Sequence, residues 1–331
     1  MPLHDAHYQH WDGTHLGLWA RRWVIAKNGL TACLRNKITW RIVTVCWVAG
    51  LAAAAFLFLI GQLLVADSTI SRWAAQLNPQ LQNVVGMLTS WLRDHPEISV
   101  RTTQDVLFFY FCLYLMPLSI FALGVALPLF ITRDLASNAI TIYASKAVSR
   151  GDYFLGKFSA AFGLLTLTWL APVCGAWLVG NLLAPDWRFF WHALAPLCHA
   201  LIFGLASMTA LSGLALGVSA LSSREKWTPA LWFIWWALGG VLQPIAEHTQ
   251  PWLRHLSFTF NLRQIALAVF GLGRDLQTAQ ENIPVLGDAL GHIPTDTMNA
   301  LSHPALGGAV AGLVLMLAAA ALILRKRVVP E

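Results

Sequence analysis

Charge is what this sequence has least of. Of its 331 residues, 11% are Asp, Glu, Lys or Arg and 57% are hydrophobic, against roughly 25% charged in an ordinary soluble domain. A soluble enzyme or nucleic-acid binder is excluded once the apolar residues prove to be clustered, as they are below. The net charge of +6 then needs no nucleic-acid partner. Cysteine is sparse too: Cys33, Cys46, Cys112, Cys174 and Cys198 form no C-x-x-C pair. They read as small apolar residues, neither a disulfide framework nor a zinc site. No nucleophile, acid and base converge in the pattern, which argues against an intramembrane enzyme. The two halves show no obvious repeat. The middles of the apolar runs hold no Asp, Glu, Lys or Arg, the groups that ion-coupled carriers usually keep inside the bundle.

What is there is apolar sequence in long uncharged runs. Six are long enough to cross the roughly 30 Å of a bilayer's hydrocarbon core: 42–65, 106–131, 160–183, 189–221, 227–246 and 306–324. The first begins well into the chain, is too long for a signal-peptide core and has no small-residue cleavage site, so it reads as an uncleaved span.

The basic residues fix an expected orientation. Arg21, Arg22, Lys27, Arg35, Lys37 and Arg41 precede the first run. Arg133, Lys146, Arg150 and Lys157 follow the second, Arg224 and Lys226 the fourth, and Arg325, Lys326 and Arg327 the last. These alternate segments hold most of the 22 Lys and Arg residues, so the positive-inside rule puts both termini in the cytoplasm. The expected division is a cytoplasmic tail and amphipathic helix over 1–41, a six-helix transmembrane domain over 42–324, and a cytoplasmic tail over 325–331. Outer loops would cover 66–105 and 247–305.

Gly151–Phe158, "GDYFLGKF", nearly fits G-x-x-x-x-G-K-[ST], in which backbone N–H groups cradle phosphates and the final hydroxyl holds Mg²⁺. Phe158 cannot ligate a metal, and Tyr153, Phe154 and Leu155 make the loop bulky. Between the spans there is no room for the parallel sheet a nucleotide-binding domain needs. The match is read as coincidental.

The loop around it, 132–158, is patterned. Asp134 to Ser137 offers helix N-terminal chemistry, and Leu135, Ala139, Ile142, Tyr143 and Ala147 share one face of a short helix. Ser149 then starts a segment running into the third span. A short solvated helix that merely orients two spans is the plain reading. The order of residues, however, resembles the first cytoplasmic loop of the ABC type-2 permease family, through Asp134, Ser145, Lys146, Ser149, Arg150, Tyr153, Gly156 and Lys157. Ala147 stands where that family often has Pro, and Asn138 where Gly is frequent.

The resemblance implies an all-α membrane protein of six transmembrane helices, with an N-terminal elbow helix and outer re-entrant or interfacial helices between spans 5 and 6. The loop would be a coupling helix that docks into a separate ABC ATPase subunit. Asp134, Leu135, Ile142, Tyr143, Lys146, Ser149, Arg150, Tyr153, Gly156 and Lys157 would couple the two. This chain would carry no cofactor and no catalytic residue; ATP and Mg would be bound by the partner. A second permease copy or a paralogue would complete the pathway, in a bacterial plasma (inner) membrane. Export, or an amphipathic or lipid-like cargo, is the expectation. A non-transporting membrane anchor and an ion-coupled secondary carrier stay open as alternatives.

Other segments carry weaker signals. Trp19, Trp23, Ala26, Leu30, Cys33 and Leu34 fall at helical spacing among Arg21, Arg22, Lys27 and Arg35, as in a helix lying in the cytoplasmic interface of the bilayer; by the resemblance it would also touch the ATPase. Leu77, Leu81, Val84, Leu88 and Trp91 suggest a surface helix in the first outer loop, with an extracytoplasmic accessory protein as a conceivable partner. "FNLRQIALAVFGLG", 260–273, is apolar but too short to span, as in a re-entrant or interfacial hairpin. Gly213-x-x-x-Gly217 and Gly308-x-x-x-Gly312 permit close helix packing. Trp232, Trp235 and Trp236 read as lipid-facing or interfacial bulk and not as a substrate cage. His199 reads as a neutral side chain hydrogen-bonded between helices. His4, His7 and His10, three apart, are a weak metal-binding pattern without a fourth ligand.

Overall fold

The computed structural model describes residues 17–63, 96–139, 149–184, 187–274, 277 and 295–328. Ile142, Tyr143, Ser145, Lys146 and Ala147, the N-terminal histidines and the pattern from Leu77 to Trp91 lie outside the described residues.

The described elements are helical. They are α1 (Leu18–Leu34), α2 (Lys37–Leu63), α3 (Pro96–Ala126), a 3-10 turn (Leu127–Leu129), α4 (Thr132–Ala136), α5 (Arg150–Leu165), a π turn (Thr166–Leu170) and α6 (Ala171–Leu182). There follow α7 (Trp187–His192), α8 (Leu194–Leu221), α9 (Trp227–His248), a second 3-10 segment (Pro251–Leu256), α10 (Phe258–Phe270), α11 (Thr295–Ser302) and α12 (Leu306–Val328). Six stretches are apolar and long enough to cross a membrane: Lys37–Gln62, Ser99–Ala136, Arg150–Leu182, Phe189–Leu221, Trp227–Ala246 and Leu306–Arg327. The chain is a polytopic membrane protein. The third stretch joins α5 and α6 through the π turn, where Thr166 and Thr168 donate their hydroxyls to Phe162 O (2.9 Å) and Leu164 O (3.1 Å) and Pro172 sits just beyond. An inserted residue beside a proline accommodates the missing N–H without ending the helix.

Lipid tails remove most of the hydrophobic drive for helix association, so close packing at small residues carries it. A Cβ on Gly156 would lie 2.6 Å from Ile25 Cγ2, and one on Gly29 would lie 2.8 Å from Ala160 Cβ. Gly50 lies against Pro172 and Gly180 against Leu57. Residue numbers rise together at both interfaces, so α1 and α2 run in the same direction as α5 and α6. Gly213 against Leu317 and Gly217 against Ala320 set α8 parallel to α12. Trp232 Nε1 donates to Ile120 O (3.0 Å) and Thr228 meets Thr132, so α9 is antiparallel to α3. Directions therefore alternate along the chain. One end of the bundle gathers the start of α1, residues 127–139 and 149–157, the 222–226 turn and the end of α12; we call it the loop end. The opposite end holds the start of α3 and the ends of α2 and α6.

Several expectations are revised. The helix begun at Thr132 stops at Ala136, and Asn138 takes a left-handed backbone (φ 52°), so no single helix face runs from Leu135 to Ala139. Asn tolerates that conformation better than other non-glycine residues, which suits the position where the resembled family often has Gly. Trp232 is fully buried under Gly124 and stacked on Phe258 (5.5 Å), not facing lipid; its indole N–H needs the Ile120 carbonyl in a dry interior. The α1 helix packs along α5 in the most extensive helix pair among the described residues, a contact the sequence pattern does not reveal. Its Cys33 is enclosed there, and burial pushes that thiol up to about 12, making it a packing group.

After α9 the chain folds back. The Pro251–Leu256 segment returns along α9 until Ser257 meets Gly239, where a Cβ would stand 2.8 Å from Ser257 Oγ. Ser257 caps α10 by accepting from Phe260 N (3.3 Å). The helix then runs to Phe270, which packs edge-on against Phe109, His199 and Phe203, and ends on Gly271 in the left-handed conformation. The two small-residue motifs both do packing work, Gly308 and Gly312 receiving His255 and Asn261.

Candidate functional site

The base of the loop 132–158 is where the sequence-selected residues converge. Ser149 is the N-cap of α5, accepting from Asp152 N (3.1 Å) and donating to Asp152 Oδ2 (2.6 Å), as Ser does when the first amides of a helix lack partners. Asp152 adds the negative charge that the helix N-terminus favours and pairs with Arg22 of α1. The next residue, Tyr153, donates its hydroxyl to Asp134 Oδ2 (2.7 Å), and one turn on Lys157 Nζ stands 2.8 Å from the same oxygen. Lys157 is 8% exposed and also reaches Leu129 O (3.4 Å). Gly156 is closed against Ile25.

Asp134, Tyr153, Gly156 and Lys157 are therefore turned inward, where they fix the two ends of the loop to each other. Arg150 is exposed, and Leu135 is half-buried. Gly151–Phe158 lies within α5, and with Lys157 committed to Asp134 and Gly156 to Ile25 the segment has no free phosphate cradle. The elbow residues divide similarly: Arg22 is committed to Asp152 and stacks on Trp19 (5.1 Å), while Trp19, Trp23 and Lys27 are exposed.

Sequence reasoning missed a hydroxyl clamp beside this base. Ser219 Oγ accepts from Ile131 N (2.9 Å) and Thr132 N (3.2 Å) and donates to Leu127 O (2.9 Å). Thr132 Oγ1 lies 2.8 Å from Ser219 O and 3.1 Å from Thr228 Oγ1. All three side chains are fully buried. Where α3 gives way to the loop, these groups satisfy backbone amides that no helix ladder reaches. Arg133 forms a two-pronged pair with Glu225 (3.1 and 3.2 Å), linking the loop to the α8–α9 turn.

A second polar group lies at the opposite end. His199 Nδ1 is 2.8 Å from Asp105 Oδ1, a cross-helix bond of the kind expected for His199. The partner was not expected: Asp105 lies inside α3, within a candidate span, and is fully buried. Asp105 stands near the start of that span, just outside the apolar run 106–131, whose middle holds no carboxylate. Its Oδ2 has no hydrogen-bond partner among the described residues, and Arg101 Nε is 3.8 Å away. Gln104 Nε2 donates to Asn181 Oδ1 (2.9 Å) while its own Oε1 is unpartnered. Asp105 closes the polar stretch just before the second apolar run; a helix continued back from that run would have carried it inside.

No protein-family model matches this chain, and no curated protein is detectably similar to it.

Proposed function

We propose that this chain is the membrane-spanning permease subunit of an ATP-driven transporter, with the loop 132–158 receiving motion from a separate ATPase. The observation that carries the reading is the bracing of the loop's base. Asp134 ties its first strand of chain to Tyr153 and Lys157 at the start of α5, Asp152 ties α5 to α1, and Arg133 ties the loop to the α8–α9 turn. A force applied at the loop would thus reach α1, α3, α5 and α9 together, as a coupling element requires. The exposed Arg150, with Ile142, Tyr143 and Lys146, which lie outside the described residues, would meet the ATPase. The loop end, which holds most of the basic residues, is the cytoplasmic side in this reading, and α10 with its preceding 3-10 segment is a re-entrant hairpin from the outer side. ATP and Mg would bind on the partner, and a second copy or a paralogue would complete the pathway.

The test is isolation of the chain from its native membrane in mild detergent, with ATP hydrolysis assayed on the same sample. A stoichiometric ATPase subunit is expected. A chain that purifies alone and inactive under those conditions overturns the reading.

The pairing of the buried Asp105 with the half-buried His199 favours one other reading, an ion-coupled carrier, since ionisable groups inside spans are costly and usually kept for a purpose. Transport driven by a pH gradient without ATP, and lost in Asp105→Asn, would select it.

A further inference from the structure

Between α1 and α5 lies a groove of about 670 Å³, within the range of pockets that hold small molecules. We infer that it seats one anionic phospholipid, its phosphodiester at Lys27 and one acyl chain along the groove. The inference rests on the chain's being a membrane protein and not on the permease reading.

The walls are apolar. Ala26, Leu30 and Leu34 line one side, and Leu155, Gly163 and Leu167 the other. The helices cannot close over it by sliding together, because their approach is already limited on the neighbouring face by Gly156 against Ile25 and Gly29 against Ala160. Gly163 keeps the floor clear; a Cβ there would stand 3.3 Å from Leu30 Cδ2. The α5 helix continues into a candidate span, so the groove runs from the loop end towards the hydrocarbon. From Arg22 to Leu34 it follows about 18 Å of helix.

Charge complementarity decides the kind of lipid. Residues 17–63 contain no Asp or Glu but carry Arg21, Arg22, Lys27, Arg35, Lys37 and Arg41. The carboxylate next to α1, Asp152, is buried and already holds Arg22. Lys27 lines the groove, is exposed and has no carboxylate partner among the described residues. Trp19 and Trp23, 80% and 67% exposed, line the mouth, and Trp is the residue type enriched at headgroup level. A zwitterionic lipid would satisfy the walls and offer the same phosphodiester, but it would bring its own cation to the basic mouth beside Lys27, whereas an anionic lipid brings net negative charge.

The test is native mass spectrometry of the full chain with phosphatidylglycerol or phosphatidylcholine of identical acyl chains, at matched concentration. One retained phosphatidylglycerol per chain is expected, in about tenfold or greater preference over phosphatidylcholine. Lys27→Glu should erase that preference, since each surface cation contributes on the order of 1 kcal/mol towards an anionic lipid. Ser159→Trp, which fills the groove from an exposed position, should abolish retention of both lipids; Lys27→Gln supplies a milder second variant should either fail to fold. Equal retention of the two lipids, or retention unchanged in the folded variants, overturns the inference. So does a groove occupied by a second copy of the chain, seen as a dimer that Ser159→Trp converts to monomer without altering lipid retention.

Discussion

The two ends of the bundle handle buried charge in opposite ways. At the loop end each described carboxylate is matched: Asp134 to Lys157 and Tyr153, Asp152 to Arg22 and Ser149, Glu225 to Arg133. At the far end Asp105 is fully buried, and its second oxygen has Arg101 Nε 3.8 Å away but no hydrogen bond among the described residues; Gln104 Oε1 beside it has none either. A fully satisfied network rigidifies, whereas a partly satisfied one can change its partners at low cost. The loop end is thus the more firmly braced of the two, as the proposed coupling role requires, and the far end has more room to change partners.

Mutations that break the comparison should differ in cost accordingly, and thermal unfolding in a defined lipid nanodisc would rank them. Asp134→Ala should be the most damaging, because it leaves the buried Lys157 ammonium without its carboxylate, facing the Leu129 carbonyl and the Tyr153 ring; removing one partner of a buried pair costs about 3–5 kcal/mol. Thr132→Val should follow at about 1–3 kcal/mol, since Ser219 O, which accepts from the Thr132 hydroxyl at 2.8 Å, loses a buried donor. Asp105→Asn should cost less than about 1 kcal/mol, because the amide still meets His199 and a buried charge is removed. A loss as large as that of Asp134→Ala would erase the distinction between the ends. Glu225→Ala should fall within about 0.5 kcal/mol, since both partners are half-exposed, yet it should weaken coupling of ATP hydrolysis to transport; Arg133→Glu paired with Glu225→Arg should restore that coupling.

How much of this was legible follows from sequence separation. The apolar runs located all six candidate spans because span length is a local property, and Ser149 showed as a helix start because capping is local too. The bonds that define the site are not local. Arg22 and Asp152 are 130 residues apart, Thr132 and Thr228 are 96, and Asp105 and His199 are 94. Trp232 was misread for the same reason: nothing near it in sequence reveals that Gly124 makes room for its ring. Asp134, Tyr153 and Lys157 were picked out from the family resemblance as groups facing a partner. The geometry gives them neighbours within this chain, so in the proposed reading the contact with an ATPase falls first to Arg150 and to residues 140–148, which lie outside the described residues.

The most direct test of the central claim is labelling of Arg150→Cys, in a chain whose exposed Cys198 is replaced by Ser, with a membrane-impermeant maleimide applied from either side. The account predicts labelling from the cytoplasmic side alone, and protection when the ATPase subunit is present. Labelling from the outer side, or labelling that the ATPase leaves unchanged, would contradict it.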